Sequence, residues 1–330
     1  MIRPLPDAGA ELPPDVAADA FARIFDGMAD DKALANFLVA LADRGETVDE
    51  IVAAASILRA RVNNPLHYAD AIDVCGTGGD GKHSLNVSTA VAIVVAACGV
   101  KVAKHGNRAA SSASGAADVL AELGIPELPF DRLGPCFETV GITFLHAARH
   151  HPAMARVAPV RRALGRRTIF NLLGPLANPA GVKRQLVGVY DPSRALDMAQ
   201  ALAALGSERA MVVHGQGYDE LTVTGDSHVV RHGFEGVAAF GSEILSPEDA
   251  GVGRHPEAAL AGSDPAHNAA RLRALLAGEQ GAYHDIVVLN AAAALTVARD
   301  HPLDLAARTA REALASGAAA DTLARWSAFR

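Results

Sequence analysis

The stretch Asp73–Ala90, DVCGTGGDGKHSLNVSTA, decides how the rest of the chain is read. Gly76, Gly78 and Gly81 spell G-x-G-x-x-G, the dinucleotide fingerprint, while Gly76, Gly81 and Lys82 spell most of a P-loop. Neither pattern is completed. A dinucleotide fold needs an acidic residue about twenty positions on, at the end of the next strand. There this chain has Lys101 to His105, which is basic. A P-loop needs Ser or Thr directly after its lysine to ligate magnesium, and His83 stands in that place. A plain strand-to-helix turn needs one or two glycines, whereas Gly76, Gly78, Gly79 and Gly81 fall within six residues. Residues without a Cβ let backbone N–H groups crowd an anion. Ser88 or Thr89 is then expected to cap a helix whose first amides also favour negative charge. The stretch reads as a phosphate site of a third kind.

On either side the grammar is strand, loop, helix. AIDVCG reads as a strand and STAVAIVVAACG as a helix closed by Gly99. VKVAKHG is the next strand, SGAADVLAELG the next helix, and ITFLHA a third strand. RQLVGVYD, the helix PSRALDMAQALAALG and RAMVVHG continue the alternation. It predicts a mostly parallel sheet with helices on both faces, an α/β fold. HPAMARVAPVRRALGRRTIFNLLGPLANP interrupts with short helices and prolines. The C-terminal part adds DELTVTG, a turn, HVVRHG and alanine-rich helices. Before Ala71, residues Asp15 to Arg61 read only as helices, with a capping signal at Thr47 and Glu50. AVAIVVAACGV is too short for a membrane span and predicts a helix buried all round.

Adjacent parallel strands bring their following loops to one carboxyl edge, where such folds bind ligands. The second loop, KHGNRAASSASG, offers Lys104 and Arg108 as charge-assisted donors and several hydroxyls. Two phosphate-type loops side by side imply a ligand with phosphates at two places. With 330 residues, half of them hydrophobic, the chain can bury a large core or two. A net charge of −7 disfavours broad nucleic-acid or membrane binding. Three scattered cysteines without C-x-x-C argue against a disulfide framework or a zinc site and fit a reducing, cytoplasmic location, and the N-terminus reads as lacking a signal peptide.

GTGGD (Gly76–Asp80), NVST (Asn86–Thr89), KHGNR (Lys104–Arg108) with SSASG, HHPAM (His150–Met154), FNLLGPLANP (Phe170–Pro179) and the pair Asp219–Glu220 follow one another along essentially the whole chain. In this set and order the sequence resembles the anthranilate phosphoribosyltransferase family. The resemblance implies transfer of phosphoribose from 5-phosphoribosyl 1-diphosphate to the amine of anthranilate, in tryptophan biosynthesis. It implies a small helical domain (1–68 with about 151–182), which makes a homodimer, and a large α/β domain (69–150 with 183–330). Carried over by position, Gly76, Gly79, Asp80, Ser84, Asn86, Val87, Ser88 and Thr89 line the diphosphate and ribose site. Lys104, His105, Gly106, Asn107, Arg108, Ala109, Ala110, Ser111, Ser112 and Ala116 wrap the phosphates. Ser88 holds one magnesium ion and Asp219 with Glu220 a second. Gly76, Asn107 and Arg161 face anthranilate, with Arg162 the neighbouring alternative. No general base is implied, because a neutral aromatic amine is already nucleophilic.

The chain departs from the family pattern at several points. Ala116 stands where a serine is usual, and the run before Asp219 is about one residue short. His146, Ala148 and Arg156 are additions beside the anthranilate side. His146 and His150, four apart, suit a surface or tunnel wall better than a metal, and three of the four arginines in RRALGRR read as a basic helix face. Two rivals remain: a pyrimidine nucleoside phosphorylase-like enzyme, and a non-catalytic paralogue that binds nucleic acid. FNLLGPLANP and KHGNR oppose the first, and the acidic charge opposes the second.

Overall fold

A computed structural model describes residues 4–108, 114–236 and 238–330. The chain opens with α1 (Pro14–Phe25), α2 (Asp31–Arg44) and α3 (Val48–Arg59). Asp30 caps α2, its carboxylate accepting the Ala33 N–H at 2.8 Å. The capping box at α3 forms as expected: Glu50 N–H donates to Thr47 Oγ1 at 3.3 Å, and Thr47 N–H to Glu50 Oε2 at 2.9 Å. Glu50 is fully buried, so its other oxygen needs partners too. It accepts from Arg44 at 2.6 Å and from Leu12 N–H at 2.9 Å.

The strand–helix alternation follows. β1 (Ile72–Gly76) leads to α4 (Val87–Ala97), and β2 (Val102–Gly106) to α5 (Ala116–Glu122) and α6 (Phe130–Val140). β3 (Ile142–His146) leads to the short α7 (Ala147–His150), then α8 (Met154–Leu164) and the short α9 (Leu173–Leu176). Next come β4 (Arg184–Gly188), α10 (Ala195–Ala204), β5 (Arg209–His214), β6 (Ser227–His232) and β7 (Gly241–Leu245). α11 (Pro265–Leu276), α12 (Ala282–Arg299), α13 (Leu303–Ala315) and α14 (Ala318–Ala328) end the chain. One sheet has the order β3-β2-β1-β4-β5-β6-β7. The run from β3 to β5 is parallel, and β6 and β7 add an antiparallel edge. The expected mostly parallel α/β sheet is thus present. DELTVTG is not a strand but an irregular segment crossing the end of the sheet.

The sheet is buried on both faces. In β5, Met211 and Val213 face one apolar layer, Ala210 and Val212 the other. The first layer contains α4, buried all round as its composition requires, with α12, α13 and α14 against it. The second contains α10, and beyond it α3 and α9. α8 packs on α1 and α2, so residues 154–164 rejoin the N-terminal helices after half the sheet is built. The apolar side chains of Asp15–Arg61 are therefore largely packed within the chain. The large apolar side chains exposed among the described residues are Leu196, Ile244 and Leu305, none of them in that segment. No helix is long and apolar enough to cross a membrane.

Candidate active site

β1 and β2 lie parallel and adjacent, so the loops after them emerge at one edge. The glycines of the first loop have two different causes. Gly78, Gly79 and Gly81 take φ of 68°, 74° and 74°, the left-handed region that only glycine enters freely. His83 shares that region at φ 49° and carries the strain of a side chain there. Gly76 has no such φ; a Cβ on it would run into the Asp219 carboxylate. Lys82 leaves the loop altogether. Its ammonium pairs with Glu257 at 3.0 Å and lies over the Tyr218 ring, so the loop is no P-loop.

α4 does not begin at Ser88 or Thr89. Asn86 is its N-cap, and Ser88 and Thr89 sit inside the first turn, which corrects the expected cap. Asn86 instead centres a polar network. Its Oδ1 accepts from Asn268 Nδ2 at 2.9 Å and Ser114 Oγ at 3.2 Å, and its carbonyl from the Tyr283 hydroxyl at 3.1 Å. The chain at His83–Leu85 is zipped to 260–262 by Gly262 N–H to His83 O and Leu85 N–H to Leu260 O. These bonds hold open a polar cleft. Gly76, Gly79, Asp80, Ser84, Asn86, Val87 and Ser88 line it, with Ala116, Asp219 and Glu220 opposite. His83, Ser263 and Asn268 line it as well. The sequence pattern did not single these out, because Ser263 and Asn268 arrive from a distant loop and the start of α11. Thr89 is not on the wall: it is buried, and its hydroxyl has no partner among the described residues.

Asp219 and Glu220 come from the irregular segment after β5, yet they close over β1 and β4. Asp219 Oδ2 accepts the Gly78 N–H at 2.6 Å, and its carbonyl rests on Gly188, where a Cβ would collide with it. Burial first, and then the Asp80 carboxylate, push the Asp219 carboxyl up to about 7. Burial and then Asp219 hold Glu220 well above the usual carboxylate range. The Lys104 ammonium opposes this at Glu220 from below. It is buried, donating to Val74 O at 2.8 Å and Ser88 Oγ at 3.2 Å, and burial lowers its pKa. The cleft therefore holds more carboxylates than its own cations balance. Among the described residues no three His, Cys, Asp or Glu side chains form a metal cage by themselves. That donor set fits magnesium, which takes one or two carboxylates and completes its shell with water and substrate phosphate oxygens.

The second loop is only partly as expected. Lys104 lies beneath the cleft, its ammonium next to Ser88. His105, one residue on along the strand, points to the opposite face, where its Nδ1 donates to Gly174 O at 3.1 Å. Burial keeps His105 well below the usual histidine range, and His151 edge-on to it is lowered to about 4 by the same cause. Gly106 is crowded by Phe144 and Ala116. Asn107 and Arg108 are exposed at the edge, with Arg108 paired to Asp118 at 3.2 Å. Ala109, Ala110, Ser111 and Ser112 lie outside the described residues. Arg161 and Asn107 do not line the glycine-loop cleft. Arg161 is half-buried on α8, with its guanidinium over the Phe170 ring, while Arg162 is exposed. Arg166 pairs with Asp43 at 2.7 Å. Arg167 is not an idle basic residue: it donates to Gly79 O and lies over Tyr190. His150 is not at the surface: it is buried, its Nδ1 against Asn63 O at 3.0 Å, and it lines a pocket together with His146.

Residues 68–320 match the a/b domain of a glycosyl transferase family, and residues 8–62 match that family's helical bundle domain. An anthranilate phosphoribosyltransferase of Methylocella silvestris is 52% identical over 320 residues, 96% of this chain and 91% of that protein. The crystal structure of anthranilate phosphoribosyltransferase from Thermus thermophilus is 45% identical, with a TM-score of 0.91 over 97% of this chain and 96% of that one. The Saccharomyces cerevisiae enzyme in complex with PRPP and Mg is 27% identical, with a TM-score of 0.85 over 96% and 92%. With the glycine loop, the acidic pair and the helical layer assembled as described, the chain belongs to the anthranilate phosphoribosyltransferase family.

Proposed function

We propose that this cleft transfers the phosphoribosyl group of 5-phosphoribosyl 1-diphosphate to the amine of anthranilate, releasing diphosphate. The observation that carries the reading is the acidic pair. Asp219 and Glu220 are brought from a distant segment onto the glycine loop, in a site with more carboxylates than its own cations balance. Gly76, Gly79, Asp80, Ser84, Asn86, Ser88 and Ala116 then line the diphosphate and ribose. Thr89 and Lys104 support them from below. Two magnesium ions are read here, one on Ser88 and one on Asp219 with Glu220; bound with the substrate, they supply charge neutralisation to the leaving diphosphate. The loop amides and Arg108 add hydrogen-bond donors where that charge grows. The amine attacks the anomeric carbon as diphosphate departs, and no residue needs to take its proton beforehand.

Arg161 is read as the carboxylate anchor. A guanidinium matches a carboxylate with two parallel hydrogen bonds. Arg161 has no ion pair among the described residues and turns inward, whereas Arg162 faces outward, roughly 100° round the helix. The helical segments 1–68 and about 151–182 are read as the dimer-forming domain of a cytoplasmic homodimer. The test mixes protein, magnesium, 5-phosphoribosyl 1-diphosphate and anthranilate and follows anthranilate fluorescence. Loss of fluorescence with release of diphosphate is expected, and folded protein with no turnover at any magnesium concentration overturns the reading. In the same assay Arg161→Ala should raise the KM for anthranilate about ten- to hundredfold, the loss of a charged hydrogen bond worth about 1.5–3 kcal/mol. Arg162→Ala should be mild. If the two swap, the anchor is Arg162.

A further inference from the structure

We propose that His146 is a positioning residue: held between Glu127 and Asn107 through both ring nitrogens, it fixes the Asn107 amide with its oxygen turned inward and its NH2 turned to the amine acceptor. Asn107's place beside the acceptor carries over from the reading above, on which this proposal rests.

The sheet brings the two residues together. β2 and β3 pair in parallel with Gly106 opposite His146, so the residue after Gly106 emerges beside the imidazole. His146 Nε2 lies 3.1 Å from Asn107 Oδ1, and Nδ1 lies 3.0 Å from Glu127 Oε1. The Arg108 backbone N–H donates to the same Asn107 oxygen at 2.9 Å, which fixes which amide atom is oxygen. Both ring nitrogens therefore face acceptors, and only an imidazolium satisfies both with donors. Its side chain is mostly buried at 11% exposure, whereas Glu127 is half exposed. The His146 hydrogen bond is also the first cause holding the Glu127 carboxyl below its usual range.

The consequence lies at the far end of the amide. With Oδ1 occupied twice, the donor half of Asn107 is the part left for a substrate, and it has no partner among the described residues. A donor suits an acceptor that carries a carboxylate. Loss of one imidazole proton leaves a ring that cannot donate to both oxygens. If Nδ1 keeps its proton for Glu127, Nε2 becomes an acceptor and favours the flipped amide. Oδ1 then faces the carboxylate and repels it. The charged groups around the ring are Glu127, Arg149 and Arg108, with His150 on α7; all four line the same pocket as His146, floored by Phe144, Leu120 and Trp326. Arg149 lies 3.6 Å from Glu127, so it supports the carboxylate without replacing the imidazolium.

Two measurements decide the matter. First, 15N NMR of the histidine rings in the substrate-free protein should show both His146 nitrogens protonated, with Glu127→Gln weakening the second proton. A single neutral tautomer in the wild type overturns the proposal. Second, His146→Phe should raise the KM for anthranilate about tenfold, the loss of one oriented hydrogen bond, and leave the KM for 5-phosphoribosyl 1-diphosphate unchanged. His146→Gln, which can donate to only one of the two oxygens, should fall between and serves if the Phe variant folds poorly. Added to Asn107→Ala, either change should cost nothing further; additive losses overturn the proposal. If wild type transfers nothing to anthranilate, the enzyme reading fails, and the NMR result alone still decides the hydrogen-bond chain.

Discussion

Asp219 is a carboxyl group kept partly protonated by its own surroundings, and that has a price in stability. Its folded pKa is about 7 against an ordinary 3.8. As pH rises from about 4 to about 7, the unfolded chain releases this proton while the folded chain keeps it, so stability falls across that window. Above it the loss is complete unless a cation replaces the proton. Asp219→Asn keeps an acceptor for the Gly78 N–H and removes the charge. The metal-free variant should melt higher than wild type near pH 8, and the difference should vanish near pH 4, where both are neutral. Thermal melts in the presence of a chelator measure this. Identical melting curves for the two proteins at both pH values would mean that the crowded carboxylate is not there. Paired with Glu220→Gln, the same change should abolish the magnesium dependence of turnover without unfolding the protein, since amides are weaker magnesium ligands.

At the scale of the element, the segment that carries the acidic pair is held by its neighbours rather than by regular structure. Leu221 N–H donates to Asn290 Oδ1 at 3.0 Å, and Asn290 Nδ2 donates to Leu221 O at 2.8 Å, from the middle of α12. On the other side the Asp219 carbonyl lies against the end of β4 at Gly188. Gly188→Ala puts a Cβ into that carbonyl, backbone against backbone, which no rotamer relieves. Overpacking of this kind should destabilise by about 1–3 kcal/mol and shift the magnesium titration of activity to higher concentration. Gly78→Ala is the contrast. Its Cβ meets nothing within 4 Å, so it should cost only the left-handed backbone penalty of about 1–2 kcal/mol. Urea melts with magnesium titrations on both variants test the pair; equal shifts in the titration sink the distinction. Most elements were legible because their periodicity is strong. α6 was not, since Gly134 and Pro135 stand inside it and read as breakers, although tertiary packing of Leu133, Phe137 and Val140 holds the helix.

At the scale of the molecule, the chain folds back so that α8 joins α1 and α2 while the sheet closes beside them. The helical layer then keeps only half-buried apolar side chains, among them Val16, Val48, Val52 and Ile57. A homodimer through this layer is expected from the family resemblance; the strip left by packing is too little exposed to argue for it. Light scattering should give twice the 34.1 kDa of one chain at micromolar concentration. A stable monomer there would refute the dimer, and the modest exposure of the strip makes this a demanding test.

The sequence by itself determined the strand–helix order, the parallel sheet, the all-round burial of α4 and the place of the glycine loop at the carboxyl edge of the sheet. Each rests on local chemistry: a repeat of two or about 3.6 residues, a missing Cβ, a capping pair. It could not say that Asn86 rather than Ser88 caps α4, because the cap is chosen by Asn268, Ser114 and Tyr283 arriving from elsewhere. Nor could it say that Lys104 lies under the cleft and His105 across the sheet, which follows from the strand's two faces and from what packs on each. Arg167, Ser263, Asn268 and the link from Glu127 through His146 to Asn107 join residues far apart along the chain. No spacing encodes such contacts; they exist only once the sheet order sets β2 beside β3 and returns the C-terminal loops to the glycine-loop edge.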